Sequence, residues 1–91
     1  MTESAQQTNL RDVHVRLFAA AKERAGTETV TVRLPTGASV HDLRRTLGES
    51  IPELLPLVPH LLFAIGTTYA RDDDPLPASG EIVAFPPVSG G

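Results

Sequence analysis

The sequence predicts one small α+β domain, and three observations support that prediction. The chain has 91 residues, which suits a single domain with a thin core. Some stretches show the alternation of apolar and polar residues that is typical of strands, and others show apolar residues at helical spacing. The two kinds do not follow each other in the regular order of a parallel α/β fold. Cysteine is absent, so disulfides cannot supplement the core, and thiol catalysis and thiolate metal binding are excluded.

The first third of the chain predicts two neighbouring strands joined by a short helix. Residues 1–11 are polar without periodicity, and we expect a disordered leader there. Apolar and polar residues alternate over 12–18 and again over 29–34, which is strand spacing. The intervening segment 19–25 is rich in helix formers, and Gly26 follows where a helix-ending glycine belongs. The two strands are therefore expected to pair antiparallel.

A second helix is predicted from Val40, with a capping box formed by Ser39 and Asp42. Apolar residues then recur at helical spacing and should face the core, until Gly48 ends the helix. Arg44 and Arg45 are expected on the solvated face of this helix.

The second half of the chain predicts a central strand and two further strands. Residues 51–59 contain three prolines, which exclude one long regular helix. The continuous apolar run 61–65 is typical of a central strand that is covered on both faces. Tyr69 begins a predicted short edge element, and residues 81–85 form the last strand. The domain is thus expected to span residues 12–85.

Residues 86–91 are predicted to form an extended tail. Pro86 and Pro87 end the last strand because neither can donate to a β ladder. The final four residues, 88–91, offer nothing that packs.

Charge and hydropathy argue against nucleic-acid and membrane partners. The formal net charge is -3, and the basic residues are scattered instead of forming a stripe. No apolar run approaches the ~20 residues that would span a bilayer, and the polar start lacks the features of a secretory signal. A cytoplasmic location is the expectation.

Metal binding is not predicted. The spacing of His14, His41 and His60 fits no metal motif, and no cysteine supports them. Residues 72–74 are three aspartates that resemble part of a calcium loop, but the other ligand positions are missing.

Three stretches carry a resemblance to a known family. They are 15–26 (VRLFAAAKERAG), 74–85 with its Gly80-Glu81-Ile82-Val83-Ala84-Phe85 ending, and the final FPPVSGG. Over 13–91 the chain resembles the ubiquitin-like β-grasp sulfur carriers of the MoaD/ThiS family, and most closely the MoaD type. One departure is Ile65-Gly66, where that family often has Val-Asn.

The resemblance implies a β-grasp fold, with a mixed sheet packed against a helix and a flexible Gly-Gly tail. It also implies that an ATP-using adenylyltransferase, similar to those that activate ubiquitin, adenylates the carboxylate of Gly91. A sulfur donor then converts it to a thiocarboxylate, with Gly90 giving access to a narrow tunnel. The chain is not expected to be catalytic alone or to bind a cofactor.

The implied partner is the large, catalytic subunit of molybdopterin synthase, in a heterotetramer of two small and two large subunits. The tail would give its sulfur to a pyranopterin precursor of the molybdenum cofactor. The predicted partner-binding residues lie on one face of the sheet and along the tail: Phe18, Leu62, Phe85, Pro86, Pro87, Val88 and Ser89. Phe85 suits a core position equally well.

Three other functions stay open on the sequence. A carrier of the same fold could serve thiazole or cysteine synthesis, although the FPPVS stretch favours the molybdopterin branch. A protein modifier would link Gly91 to a lysine of its target. A plain binding module would carry an inert tail, since a terminal Gly-Gly alone is a weak signal. The role of Lys22, the single lysine, is also open.

Overall fold

The computed structural model describes residues 10–77 and 81–87, which form a five-stranded sheet with helices on one face. The elements are β1 (Leu10–Leu17), α1 (Ala19–Ala25), β2 (Thr29–Pro35), α2 (Val40–Ser50), two short 3-10 helices (Pro52–Leu54 and Val58–His60), β3 (Leu62–Ile65), β4 (Thr68–Ala70) and β5 (Ile82–Phe85). Strand β1 begins at Leu10, so Leu10 and Arg11 belong to the sheet and not to the predicted leader. The rest of that leader, residues 1–9, lies outside the described residues.

The sheet is mixed, with the strand order β2-β1-β5-β3-β4. Strands β1 and β2 pair antiparallel, as predicted. Strand β5 lies in the middle, parallel to β1 on one side and antiparallel to β3 on the other. Strand β4 is the short edge strand that was expected near Tyr69. This arrangement confirms the α+β class and the ubiquitin-like β-grasp fold.

The core lies between the inner face of the sheet and α2. Alternation turns every second residue of β1 inward, and the same holds for β5 and for Phe63 of β3. Helix α2 covers them with apolar residues at helical spacing, as predicted. The largest fully buried side chains are those of Phe63, Leu17, Leu43, Leu47, Leu54, Leu61, Ile82, Val15 and Val40.

Strand β3 departs from its prediction in one respect. The apolar run was expected to be covered on both faces, but Leu62 is 41% exposed and points away from the core. The helices cover only the inner face, so the outer face of the sheet stays open across β3 and β5. Among the described residues, no helix is long and apolar enough to cross a bilayer.

Helix α2 begins as predicted and ends later than predicted. The Ser39 hydroxyl accepts a hydrogen bond from the Asp42 amide at 3.3 Å, and Asp42 accepts one from the Ser39 amide at 3.0 Å. The helix continues to Ser50, so Gly48 does not end it. A Cβ at Gly48 would lie 2.9 Å from Cδ2 of Leu55. This glycine therefore allows the segment after the helix to pack closely against it.

The capping box makes part of the stability depend on pH. Hydrogen bonding from the Ser39 backbone holds the pKa of Asp42 below its usual value of 3.8. A lowered folded-state pKa means that the ionised group stabilises the fold above about pH 4, and that this contribution is lost as the pH falls through the folded pKa. We expect Asp42→Asn to be less stable than the parent chain at pH 7, and the difference to shrink at pH 2–3. Urea unfolding at both pH values measures this, and an unchanged difference would contradict it.

Arg44 does not lie on a solvated helix face, which corrects its prediction. Its side chain is 17% exposed, against 61% for Arg45, which is solvated as expected. Nη1 of Arg44 donates to the carbonyls of Val58 and Leu61 at 2.6 and 2.9 Å, and Nη2 donates to Asp72 at 2.8 Å. The guanidinium carbon also lies 5.2 Å from the ring centroid of Phe63. Arg44 thus ties α2 to the start of β3 and to the loop after β4.

Candidate functional site

The end of β5 is the place from which the predicted tail departs. Pro86 and Pro87 follow the strand directly, and Pro87 is exposed. Both are described, but the predicted tail residues Val88, Ser89, Gly90 and Gly91 lie outside the described residues. The geometry of the site is therefore that of the strand end and of the sheet around it.

Phe18, Phe85 and Leu62 form one row across the outer face at this end of the sheet, which we call the docking row. Leu62 is the direct cross-strand partner of Phe85. On the other side Leu17 pairs with Ala84, so Phe18 continues the ladder beside Phe85, and its amide donates to the Ala84 carbonyl at 3.1 Å. Strands are spaced by ~4.8 Å, so the three side chains are immediate neighbours. The three residues thus share one face of the sheet, and their role in partner binding stays a prediction.

The backbone at Ala19 keeps Phe18 in this row. Phe18 is extended, with φ -126° and ψ 157°, and Ala19 then adopts a left-handed conformation with φ 57°. This conformation is uncommon for a residue with a Cβ and costs about 1–2 kcal/mol. It turns the chain sharply from β1 into α1, immediately after Phe18 has continued the alternation of the strand.

A third aromatic residue extends the apolar surface toward the sheet edge. Tyr69 of β4 is 70% exposed, and its ring centroid lies 5.9 Å from that of Phe85. Ala64 and Val83 lie in line with it across the outer face. The sequence predicted Tyr69 on an edge element only and not as a candidate site residue. Phe85 lies on this outer surface and is absent from the buried core, so its predicted core position is wrong and its role in partner binding stays a prediction.

Charged groups border the docking row on the β1 side. Arg16 lies near Glu28 and Glu81, with N–O distances of 3.4 and 3.7 Å. Its guanidinium carbon is also 5.6 Å from the ring centroid of Phe18. Toward β2 the outer face carries polar residues, such as His14, which is hydrogen-bonded to Thr31 at 3.0 Å. The apolar patch therefore has a polar rim, which is typical of a protein-docking surface.

His41 and the aspartate loop stand apart from this patch. His41 lies 3.7 Å from Asp72 at the start of α2, where Asp72 also meets Arg44. The hydrogen bond from Arg44 holds the pKa of Asp72 below its usual range. Within residues 10–77 and 81–87, no three histidine or carboxylate residues come together as a metal site. The aspartate loop ties the sheet to α2 instead, since the carbonyls of Asp72 and Asp74 accept from helix amides.

The family follows from a direct comparison. The model of the ThiS family matches residues 15–91, which include the docking row, the two prolines and the terminal glycines. The chain belongs to the ThiS family. The match begins in β1 and covers every later element of the fold, so the resemblance that the sequence motifs indicated holds for the domain as a whole.

The chain is similar to several small proteins whose names describe carriers or modifiers. It is 26% identical over 87 residues to the molybdopterin synthase sulfur carrier subunit of Arabidopsis thaliana, covering 96% of this chain and 91% of that one. The crystal structure of SAMP1 from Haloferax volcanii matches with a TM-score of 0.76 and 29% identity, covering 89% of this chain and 100% of that one. A Pyrococcus furiosus protein assigned as molybdopterin converting factor subunit 1 matches with a TM-score of 0.73 and 25% identity, covering 85% of this chain and 98% of that one.

Proposed function

We propose that this chain is the sulfur-carrier subunit of molybdopterin synthase, with the Gly91 carboxylate as its reacting group. One observation carries the proposal: the strand that leads into the Gly-Gly tail ends inside an exposed apolar row, between Phe18 and Leu62. A partner that binds this row receives the tail at the same time. The name of the Arabidopsis relative supports the pathway.

The chemistry requires a partner enzyme for activation. A carboxylate is a poor electrophile, because a nucleophile would have to add charge to an anion. Transfer of AMP from ATP to the Gly91 carboxylate gives an acyl-adenylate with a good leaving group. A sulfur donor then displaces AMP and leaves the thiocarboxylate. In this proposal the adenylyltransferase supplies the catalytic groups, and the carrier supplies the carboxylate and the docking surface.

The tail has the length and the composition for delivery into another active site. Six residues from Pro86 to Gly91 reach about 20 Å at about 3.3 Å each when extended. The two prolines favour an extended exit from β5. The glycines lack side chains, so a narrow tunnel can close around the backbone. Holding the sulfur beside the precursor then makes the transfer nearly intramolecular.

The proposed partner in the second step is the large subunit of the synthase, in a heterotetramer of two small and two large subunits. That subunit would bind the pyranopterin precursor and provide the catalytic residues, so the carrier is not catalytic alone. Each carrier delivers one sulfur, and two deliveries complete one dithiolene. We place the cycle in the cytoplasm, where the carrier would return to the adenylyltransferase as a plain carboxylate.

The docking row can be tested with two matched leucines. Leu62 and Leu10 are 41% and 46% exposed, and alternation places both on the outer face, Leu10 at the far end of β1. We expect Leu62→Glu to weaken binding to the large subunit by at least ~30-fold, because a charge buried at an apolar interface costs about 2 kcal/mol or more. Leu10→Glu should bind like the parent chain. Titration calorimetry measures both, and equal losses for the two variants would exclude the row as the docking site.

A protein modifier is the second candidate, and the likeness to SAMP1, a small archaeal modifier protein, favours it. A modifier would transfer its activated Gly91 to lysines of other proteins. Deletion of the gene separates the two functions. If the chain is a sulfur carrier, the deletion should abolish molybdoenzyme activity and leave the ladder of protein conjugates unchanged. If the ladder disappears while molybdoenzyme activity persists, the chain is a modifier.

A further inference from the structure

The chain carries very few groups that could attack its own activated tail. It has no cysteine, and Lys22 is the single lysine among eight basic residues, the other seven being arginines. An arginine guanidinium stays protonated in proteins and is not a useful nucleophile. Apart from the α-amine of Met1, the ammonium of Lys22 is thus the one group of this chain that can become an amine nucleophile.

The structure places Lys22 close to the docking row. It is exposed on α1, and its backbone amide donates to the carbonyl of Phe18 at 3.4 Å, one helical turn away. Phe18 is in turn bonded to Ala84 of β5, just before the tail. Within residues 10–77 and 81–87 the side chain of Lys22 has no hydrogen bond or ion pair. Its amine is therefore available to a partner.

We propose that Lys22 is an acyl-acceptor site for the activated tail of a second copy of this chain. The inference rests on the proposed function, because it needs the Gly91 acyl-adenylate. The neutral Lys22 amine attacks the Gly91 carbonyl carbon, and a C–N bond forms. The bond between that carbon and the phosphate oxygen breaks, AMP leaves with the electron pair, and the amine loses a proton to solvent. The product is an amide, without oxidation or reduction.

The acceptor must belong to a second copy. While Gly91 is in the adenylating site, the extended tail holds its own domain about 20 Å away, which leaves its own Lys22 outside. The amine of another copy has no such tether. A domain attached at Lys22 would be tethered one helical turn from Phe18 by a tail of about 20 Å, so it would obstruct the approach of another protein to the docking row. Conjugation at Lys22 would therefore remove the acceptor copy from the pool that binds the large subunit.

The test omits the sulfur donor, so that the adenylate is formed but not consumed by sulfur transfer. The full chain is incubated with its adenylyltransferase and ATP, and pyrophosphate release reports the adenylate. We expect a covalent dimer with the mass of two chains less about 18 Da, since one water is lost overall. Peptide mapping should find Gly91 joined to Lys22. Lys22→Arg should release pyrophosphate at the same rate in the first turnover and form no dimer.

A relocated lysine tests the effect on docking. Arg33 is exposed on β2, the edge strand two places away from β5. In the double variant Lys22→Arg/Arg33→Lys, the acceptor lysine is moved to position 33. A dimer linked at this position should bind the large subunit through its acceptor copy. The dimer linked at Lys22 should not bind it through that copy. Pyrophosphate release without a dimer, or linkage at the Met1 amine, would overturn the inference and leave the carrier function intact. Absence of pyrophosphate release would overturn both.

Discussion

A chain that lacks Gly91 should fold normally and lose sulfur transfer. The deletion shortens the tail by about 3.3 Å, so the new terminal carboxylate stops short of the adenylating centre. A misplacement of about 1 Å can cost ~100-fold in rate, so we expect at least a ~100-fold lower rate of thiocarboxylate formation. The buried core consists of residues between Val13 and Ala84, so the unfolding temperature should not change. Single-turnover kinetics and thermal unfolding measure the two quantities.

Ser89→Ala is the matched control for this deletion, because it changes the tail without shortening it. It should keep the rate within a few-fold of the parent chain. If the deletion variant still carries sulfur at the parental rate, the reaction does not require the Gly91 carboxylate and the proposed mechanism is wrong. If Ser89→Ala loses as much as the deletion, the chemistry depends on the serine and not on the position of the carboxylate.

Arg44→Ala should be the most destabilising change on the helical surface, although its neighbour Arg45 looks equivalent in the sequence. The substitution removes donors from two carbonyls, those of Val58 and Leu61, and leaves Asp72 without its closest partner. Buried acceptors left unpaired cost about 1–3 kcal/mol each, so we expect a loss of about 3 kcal/mol in the free energy of unfolding. For a domain of this size that lowers the unfolding temperature by roughly 12–24 °C.

Arg45→Ala serves as the control, because the ion pairs of Arg45 are exposed and 3.7 to 4.0 Å long. Its effect should stay within about 0.5 kcal/mol. Urea unfolding of both variants gives the comparison. Equal effects would mean that Arg44 does not hold α2 to β3 and the aspartate loop in solution.

Arg44 and Gly48 show where prediction from the sequence ends. Arg44 and Arg45 are adjacent and of the same residue type. Helical spacing alone does not predict which of them contacts the loop at Asp72, which is 28 residues away in sequence from Arg44. Gly48 stands near the helix end, where a glycine ordinarily terminates a helix. Here it lies inside the helix and against the Leu55 side chain, a close approach that no local pattern encodes.

The predictions that held depend on local physics. Gly26 adopts the left-handed conformation that ends α1, with φ 77°, and Ser39 and Asp42 form their capping box. The docking row was predictable because alternation fixes which face of a strand each side chain occupies. Tyr69 was missed because a strand of three residues shows no alternation, and its contact with Phe85 depends on how β4 pairs with β3.

The most direct test of the central claim is the intact mass of the chain after incubation with its adenylyltransferase, ATP and a sulfur source. Replacement of one terminal oxygen by sulfur should add about 16 Da, on a fragment that contains Gly91. Addition of the synthase large subunit with its precursor should then return the mass to that of the unmodified chain. An unchanged mass in the presence of an adenylyltransferase that is active on another carrier would contradict the account.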